Sequence, residues 1–568
     1  MRIRLICCFL AGFVLTISAA HHLFSQSPTP KPTPKPAPAD SPIRFTYQPI
    51  DFQLDSDESP QYHAPETMAG GVAVFDYNND GRLDIFFTNG ANLKTLQKDS
   101  PKYSNRLFEN DGHGHFTDVT EKAGLAGTGF DTGVAIGDYD NDGCEDIFVA
   151  GVYRNTLYHN NCDGTFTDVT AKAGLNKSND PQYGPLWSVT AAWVDINNDG
   201  LLDLVVINYL KWDFDHEPVC EGYGHRDYCH PKMYGATPNQ LFINNGDGTF
   251  RDASVEAGFR AYPGKGMSAA LADSTLDGRM DLFVTNDKLM NSFFVNKGGG
   301  KFEEAAFDEN VALREDGVYI SGMGADFRDL DNDGYPDIFL VALDGETFPL
   351  YRNTGKGSFV EVTRESGMTR MSLPMAGYSP NIADFDNDGW KDIFVSRGHV
   401  QSLASSNNLS IAQPNTVFRN LGGMKFTALT AEAGFTSLPP SRHRGSAVGD
   451  LNGDGKLDVV VSALSAPAEI WINQSPNQNH WLEFKLQGTK SNRDGIGARI
   501  KLATKSGAQY NHMTTACGYA SSSAGPVHFG LGKDAVADLV EIHWPSGIVQ
   551  TLKNVEADRV VVVKEPAK

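Results

Sequence analysis

Residues Asp138–Phe148, DYDNDGCEDIF, place four aspartates, Asp138, Asp140, Asp142 and Asp146, around one glycine, Gly143. Anions that close disfavour one another's ionisation unless something compensates them. The pattern recurs six times. DYNNDGRLD starts at Asp76, DINNDGLLD at Asp195, DSTLDGRMD at Asp273, DLDNDGYPD at Asp329, DFDNDGWKD at Asp384 and DLNGDGKLD at Asp450. The copies lie mostly 55 to 66 residues apart, with a wider gap between the third and fourth that marks an insertion. A fixed period of this length signals a repeat architecture before any single motif is weighed.

A second half-motif follows six of the loops. It is clearest in NTLYHNNCDGTFTDVTAKAG from Asn155 and NQLFINNGDGTFRDASVEAG from Asn239, and weaker from Asn105, Asn291, Pro349 and Asn415. Each unit thus offers four short runs of apolar and β-branched residues between Gly, Asn and Asp turns, which is the signature of strands. Four-stranded units repeated seven times predict an all-β protein, a seven-bladed β-propeller. After the last acidic loop only EIWIN, near Ile470, continues the pattern, while IRFTYQPIDF at Ile43 resembles an outer-strand segment. The N-terminal strand is therefore expected to complete the last blade, removing a raw sheet edge.

Within each loop, side chains one, three and five converge around a tight turn. Glycine at six supplies the positive φ that the turn requires. The carbonyl at seven and the Asp at nine complete an all-oxygen shell of the kind that suits calcium. The expected ligands are Asp76, Asn78, Asp80 and Asp84; Asp138, Asp140, Asp142 and Asp146; Asp195, Asn197, Asp199 and Asp203; Asp273, Asp277 and Asp281; Asp329, Asp331, Asp333 and Asp337; Asp384, Asp386, Asp388 and Asp392; and Asp450, Asn452, Asp454 and Asp458. That allows up to seven Ca2+ ions. The Asp273 loop is the weakest, because Thr275 stands at position three, and the loops with Asn78, Asn197 and Asn452 carry less charge than those with Asp140, Asp331 and Asp386. The competing reading is a set of metal-free Asp-Gly turns held by side-chain-to-backbone bonds.

The chain of 568 residues has a formal net charge of −22, with 70 acidic against 48 basic side chains. That balance excludes a nucleic-acid partner, which needs clustered Lys and Arg. Arg2 and Arg4 precede the apolar run LICCFLAGFVLTISAA, and Ser18 and Ala20 offer small residues for cleavage. Residues 1–20 therefore read as a signal peptide, or as an anchor if the run is retained, which is the only membrane contact expected. Residues 21–42 contain alternating prolines and form an extended spacer. The propeller is assigned to residues 43–475 and a smaller β domain to 476–568. Secretion, the periplasm or the cell surface would permit disulfides, for which Cys220–Cys229 and Cys144–Cys162 are the candidates. Cys517 is left over as a buried residue.

The acidic repeats resemble the FG-GAP/VCBS repeats of integrin α-subunit propellers, a resemblance that implies calcium in the hairpin between the first two strands of each blade. Beyond Pro476, SNRDGIGARI, GYASSSAGPVHFGLG and VEIHWPSG resemble the ASPIC/UnbV domain. Together they are similar to the cartilage acidic protein family, which implies secretion, calcium and extracellular interaction, and implies no established catalytic activity. Arg493, Asp494 and His528 are the polar residues of note in this domain, and turn or surface roles are expected for them.

In a four-stranded meander the acidic loops and the NGDG-type turns share one face. The opposite face carries the long connections, above all the insertion from Tyr209 to Pro238, and loops on a rigid scaffold are where binding concentrates. That insertion holds His216, His225, Arg226, Tyr228 and His230 beside Cys220 and Cys229; a disulfide outweighs a zinc site there. Trp193 reads as core, and Trp187 and Trp212 more as packing than as sugar-stacking surfaces. The function expected is a non-catalytic adhesion or binding scaffold for an extracellular glycan or protein, acting through the face opposite the calcium loops. The alternative is a propeller-type polysaccharide lyase with Tyr228 or His230 as base.

Overall fold

Seven four-stranded antiparallel meanders account for the chain up to Asn473 in the computed structural model, which describes residues 41–176, 178–222, 225–400 and 410–567. The expected signal and nearly all of the spacer lie outside the described residues. The first sheet runs Val72–Phe75, Asp84–Phe87, Arg106–Asn110 and Phe116–Asp118, and the second Asp131–Gly137, Asp146–Gly151, Thr156–Asn160 and Phe166–Asp168. The third to sixth sheets begin with Ser188–Val194, Gly266–Ala272, Ala325–Arg328 and Gly377–Ala383. The seventh comprises His443–Gly449, Asp458–Ala463 and Pro467–Asn473, and its outer strand is Phe45–Gln53 from the other end of the chain, pairing Phe45 with Asn473. The N-terminal segment thus takes the place its sequence predicts. First strands are buried throughout, and sheet packs on sheet through residues such as Trp193 against Tyr139 and Phe250, the arrangement of a β-propeller.

One side chain per repeat ties neighbouring sheets together. The third strand of every sheet ends in asparagine, and that amide donates to a carbonyl in the acidic loop of an adjacent repeat. Asn160 reaches Tyr77, Asn244 reaches Tyr139, Asn296 reaches Ile196 and Asn353 reaches Ser274. Asn420 reaches Leu330, Asn473 reaches Phe385, and Asn110 reaches Leu451, all at 2.8–3.0 Å. The last of these joins the first sheet to the seventh, so the circuit of bonds has no open end.

Residues beyond Pro476 form a three-stranded sheet (Val527–Gly532, His480–Gln487, Arg559–Lys564) and a four-stranded one (Gly507–His512, Arg499–Thr504, Val536–His543, Val549–Glu556). This module lies on the acidic-loop face. Asn479 donates to the Asp386 carbonyl, Gly532 N–H to the Asn387 carbonyl, and Lys391 to the Tyr510 carbonyl, while Lys485 pairs with Asp76 and Arg499 with Asp273.

The segment Thr514–Ser523 leaves this module and enters the middle of the ring. Ser521–Ser523 adds to the first sheet as a parallel strand beside Ala73 and Val74. Its other bonds go to first strands around the ring: Thr515 to the Ile136 carbonyl, Ser268 to the Gly518 carbonyl, Tyr519 N–H to Ser379 and Val448 N–H to Ser523. Gly518 has φ +52°, and a Cβ there would meet the Ser379 Oγ at 2.0 Å, so only glycine fits the approach. Fully buried Tyr519 is the tip of this plug, its hydroxyl donating to the Met68 carbonyl at 2.6 Å.

Candidate metal loops and the face opposite them

Each acidic loop is first a hydrogen-bonded turn. In six loops the carboxylate at position one accepts N–H groups from positions five and six, as Asp76 does from Asp80 and Gly81, Asp138 from Asp142 and Gly143, and Asp195 from Asp199 and Gly200; in the fifth, Asp329 accepts from Asn332 and Gly334. The Asp at position five accepts from residue seven, as Asp142 does from Cys144 and Asp333 from Tyr335. The Asp at nine accepts from position two and from the asparagine that ends the third strand; Asp203 binds Ile196 and Asn244 N–H in this way. Glycine at six is in the left-handed region in every loop, from Gly455 at φ +77° to Gly334 at +97°.

These bonds leave charge uncompensated. Burial pushes Asp84 and Asp203 up to about 8, with backbone donors opposing and neighbouring carboxylates adding to the rise. Asp384 and Asp392 lie well above the ordinary carboxylate range, burial again leading and the adjacent acids reinforcing it. In this sixth loop Asp386 Oδ1 is buried with no hydrogen-bond partner among the described residues. Oxygen-only donors, mutual repulsion and an orphaned acceptor together fit a hard divalent cation.

The loops differ in how closely the acids gather. Ligand atoms within 4.8 Å of one another occur in Asp138–Asp140–Asp142, Asp329–Asp331–Asp333 and Asp384–Asp386–Asp392, and His159 also joins Asp140 and Asp146. These are the loops with Asp at position three. In the other loops, which hold Asn78, Asn197, Thr275 or Asn452 there, no group of three or more such His, Cys, Asp or Glu atoms is found among the described residues. Arginine or lysine stands against several acids instead: Arg82 pairs with Asp80, Lys485 with Asp76, Arg279 with Asp277 and Arg499 with Asp273. The Asp273 loop is therefore held by two guanidinium groups. Arg419 contacts Asp386 and Asp388 in the sixth loop at 2.7 and 2.8 Å.

Asparagine at position four does work that the motif alone does not reveal. Asn79, Asn141, Asn198, Asn332 and Asn387 adopt positive φ, and each donates to the position-six glycine carbonyl of the next loop, Gly143, Gly200, Gly278, Gly389 and Gly455 in turn. Leu276 and Gly453 replace it in the two loops that lack the bond. The recurrence of N in NDG is the signal that would have found it.

Cys144 and Cys162 form a disulfide with Cα atoms 5.7 Å apart, stapling the two turns of one sheet, and Cys220–Cys229 forms the other, which leaves no thiolates there for zinc. Cys517 is buried, and burial pushes its thiol up to about 12. Trp187, Trp193 and Trp212 are all buried. One expectation needs correcting in part, since Arg493 and Asp494 do occupy a turn. Arg493, Asp494 and His528 are not free surface: Arg493 N–H donates to Asn141, Asp494 accepts from Asp138 N–H at 2.9 Å, and His528 meets the Gly455 carbonyl. They are docking residues, because the module lies over the acidic loops. The polar residues of the insertion, whose arrangement the sequence leaves open, do not share one pocket: Tyr228 and His230 line a cavity, whereas His225 is exposed.

The sequence matches the FG-GAP-like repeat family over residues 76–149, 138–206, 233–284, 275–340, 329–395 and 403–461, and the ASPIC and UnbV family over 488–568. Cartilage acidic protein 1 of Xenopus tropicalis is 26% identical over 516 residues, covering 87% of this chain and 73% of the relative. Its Homo sapiens counterpart is 27% identical over 507 residues, covering 86% and 70%. Among solved structures, YCF48 bound to D1 peptide is similar over 78% of this chain and 99% of that chain, at 9% identity and a TM-score of 0.40.

Proposed function

The chain belongs to the FG-GAP-like repeat family and carries an ASPIC and UnbV domain, and from that premise we propose a non-catalytic, calcium-braced scaffold for an extracellular glycan or protein. One observation carries the reading. The C-terminal module lies on the acidic-loop face and fills the axis from that side, which supports a partner meeting the connections on the opposite face. Two disulfides favour an oxidising, extracellular setting. No helix among the described residues is long and apolar enough to cross a membrane.

Calcium, where bound, would neutralise the gathered carboxylates and hold each hairpin rigid. Asp138, Asp140 and Asp142, then Asp329, Asp331 and Asp333, then Asp384, Asp386 and Asp392 would hold it best. The lyase alternative loses ground, since the Tyr228 hydroxyl donates to Glu66 and burial, followed by that carboxylate, moves its ionisation far above neutral.

Calorimetric titration with calcium, paired with thermal melting in calcium and in chelator, tests the proposal. Several bound ions and a clear fall in melting temperature on chelation are expected. No heat of binding and an unchanged melt would reduce the acidic loops to metal-free turns.

A further inference from the structure

On the face opposite the acidic loops, a cavity of about 200 Å³ lies above the plug. Its floor includes Met68, whose carbonyl accepts the Tyr519 hydroxyl, and Tyr378, which Tyr519 meets edge-on at 5.2 Å. Its walls come from the insertion and from the ends of second strands in neighbouring sheets, through Tyr209, His230, Asp287 and His399.

Nearly every polar group around this cavity already has its partner. Glu346 pairs with Lys288 and accepts the Ser321 N–H at 2.9 Å, and Asp344 lies 2.6 Å from His399. Lys265 donates to the Pro231 carbonyl, and the Tyr228 and Tyr234 hydroxyls go to Glu66 and Glu217. Tyr209 donates to Asp287 Oδ2 at 2.7 Å. Two buried atoms remain without a partner among the described residues: Asp287 Oδ1 and the Tyr378 hydroxyl. Most buried polar atoms are satisfied in folded proteins, so an orphaned acceptor and an orphaned hydroxyl on residues lining one cavity point to a ligand that supplies both.

We propose that this cavity binds one neutral sugar ring, with a ring hydroxyl donating to Asp287 Oδ1 and another bonded to the Tyr378 hydroxyl. The inference deepens the binding-face reading and rests on it. Charge selects the class. A cationic ligand would approach Asp287 past Lys288 and Lys265, and an anionic one would meet Asp287, Asp344 and Glu346. Hydroxyl groups both donate and accept, and Met68, Met323 and Leu343 give the C–H face of a ring apolar contact. At ~30 Å³ of liquid volume per water, the space holds about six or seven waters, which suits one ring rather than a chain.

Saturation-transfer NMR on the full chain would use glucose, galactose, mannose and N-acetylglucosamine, with methylammonium and glucuronate as charged probes. The same chain, with Asp287→Asn and Tyr378→Phe, would be run on a glycan array. A neutral sugar should bind, and each substitution should weaken it by about tenfold, the scale of one hydrogen bond to a charged or buried group. Tyr378→Phe should leave the melting temperature unchanged, since the hydroxyl it removes has no partner. Binding of a charged probe in preference, or equal sugar affinity in both variants, would overturn the proposal. Array binding untouched by the substitutions would leave glycan recognition by this face standing and remove only the cavity; a blank array with no monosaccharide signal would remove both.

Discussion

The asparagine that ends each third strand shows how one side chain can carry a fold. Asn244 donates to the carbonyls of Tyr139 and Leu202 and is buried. Asn244→Ala would orphan two buried acceptors, and a loss of about 2–4 kcal/mol is expected in urea unfolding, far more than an exposed asparagine would cost. Glu565 behaves in the opposite sense from the loop acids. Burial raises its pKa, but the Ser546 hydroxyl and the N–H groups of Thr489, Lys490 and Ser491 outweigh that and hold it near about 2. Its contribution to stability is therefore full above the ordinary glutamate range and lost as pH falls toward 2. Glu565→Gln should flatten that part of the acid-unfolding profile and cost about 2 kcal/mol at neutral pH. The aspartates were legible because the motif repeats them at fixed offsets. The asparagines were not read as structural, because their partners lie in another repeat and a turn-forming asparagine looks the same from the sequence.

At the level of the hairpin, seven loops of similar sequence use different means of neutralisation. Where position three is Asp, the acids gather as a metal shell would need; where it is Thr275, Arg279 and Arg499 stand against Asp277 and Asp273. Removing Arg499 as Arg499→Ala should release Asp273, and with Thr275→Asp should add a calcium ion to the stoichiometry measured by calorimetry. An unchanged ion count would mean that the loop's backbone, and not its charge, excludes the cation. The disulfide between Cys144 and Cys162 closes a loop of sequence separation 18. Its removal as Cys144→Ser with Cys162→Ser should lower stability by about 3 kcal/mol on the loop-closure scale, read from denaturant midpoints. Strand order and the N-terminal outer strand were readable from period and turn residues, since both are local signals. The face that the insertion turns inward was not, because Tyr228 is oriented by Glu66, 162 positions earlier.

For the molecule as a whole, the sequence suggests a propeller followed by a separate small domain, and the structure joins them. The plug segment, ACGYASSSAG, has the small polar residues of a linker, and nothing local distinguishes a linker from a strand that fills a ring. Smallness is what the axis demands: Gly518, Ala520, Ser521 and Ser522 lie where first strands come together. Tyr519→Ala would empty the tip of the plug and leave the Met68 carbonyl unbonded. A loss of about 3–5 kcal/mol is expected, together with unfolding of the C-terminal module and the ring in one transition. Two separate calorimetric transitions in the unaltered protein would show instead that the contact is incidental.

The pairing of Phe45 with Asn473 also imposes a schedule. A ribosome or a secretion channel delivers the N-terminal strand first, and it must wait, its edge unpaired, until nearly the whole propeller has emerged. The plug, from residues later still, seats only after that. Synthesis therefore passes through a long interval in which an open arc of sheets is exposed, and a helper that shields strand edges would matter most before the C-terminal module arrives.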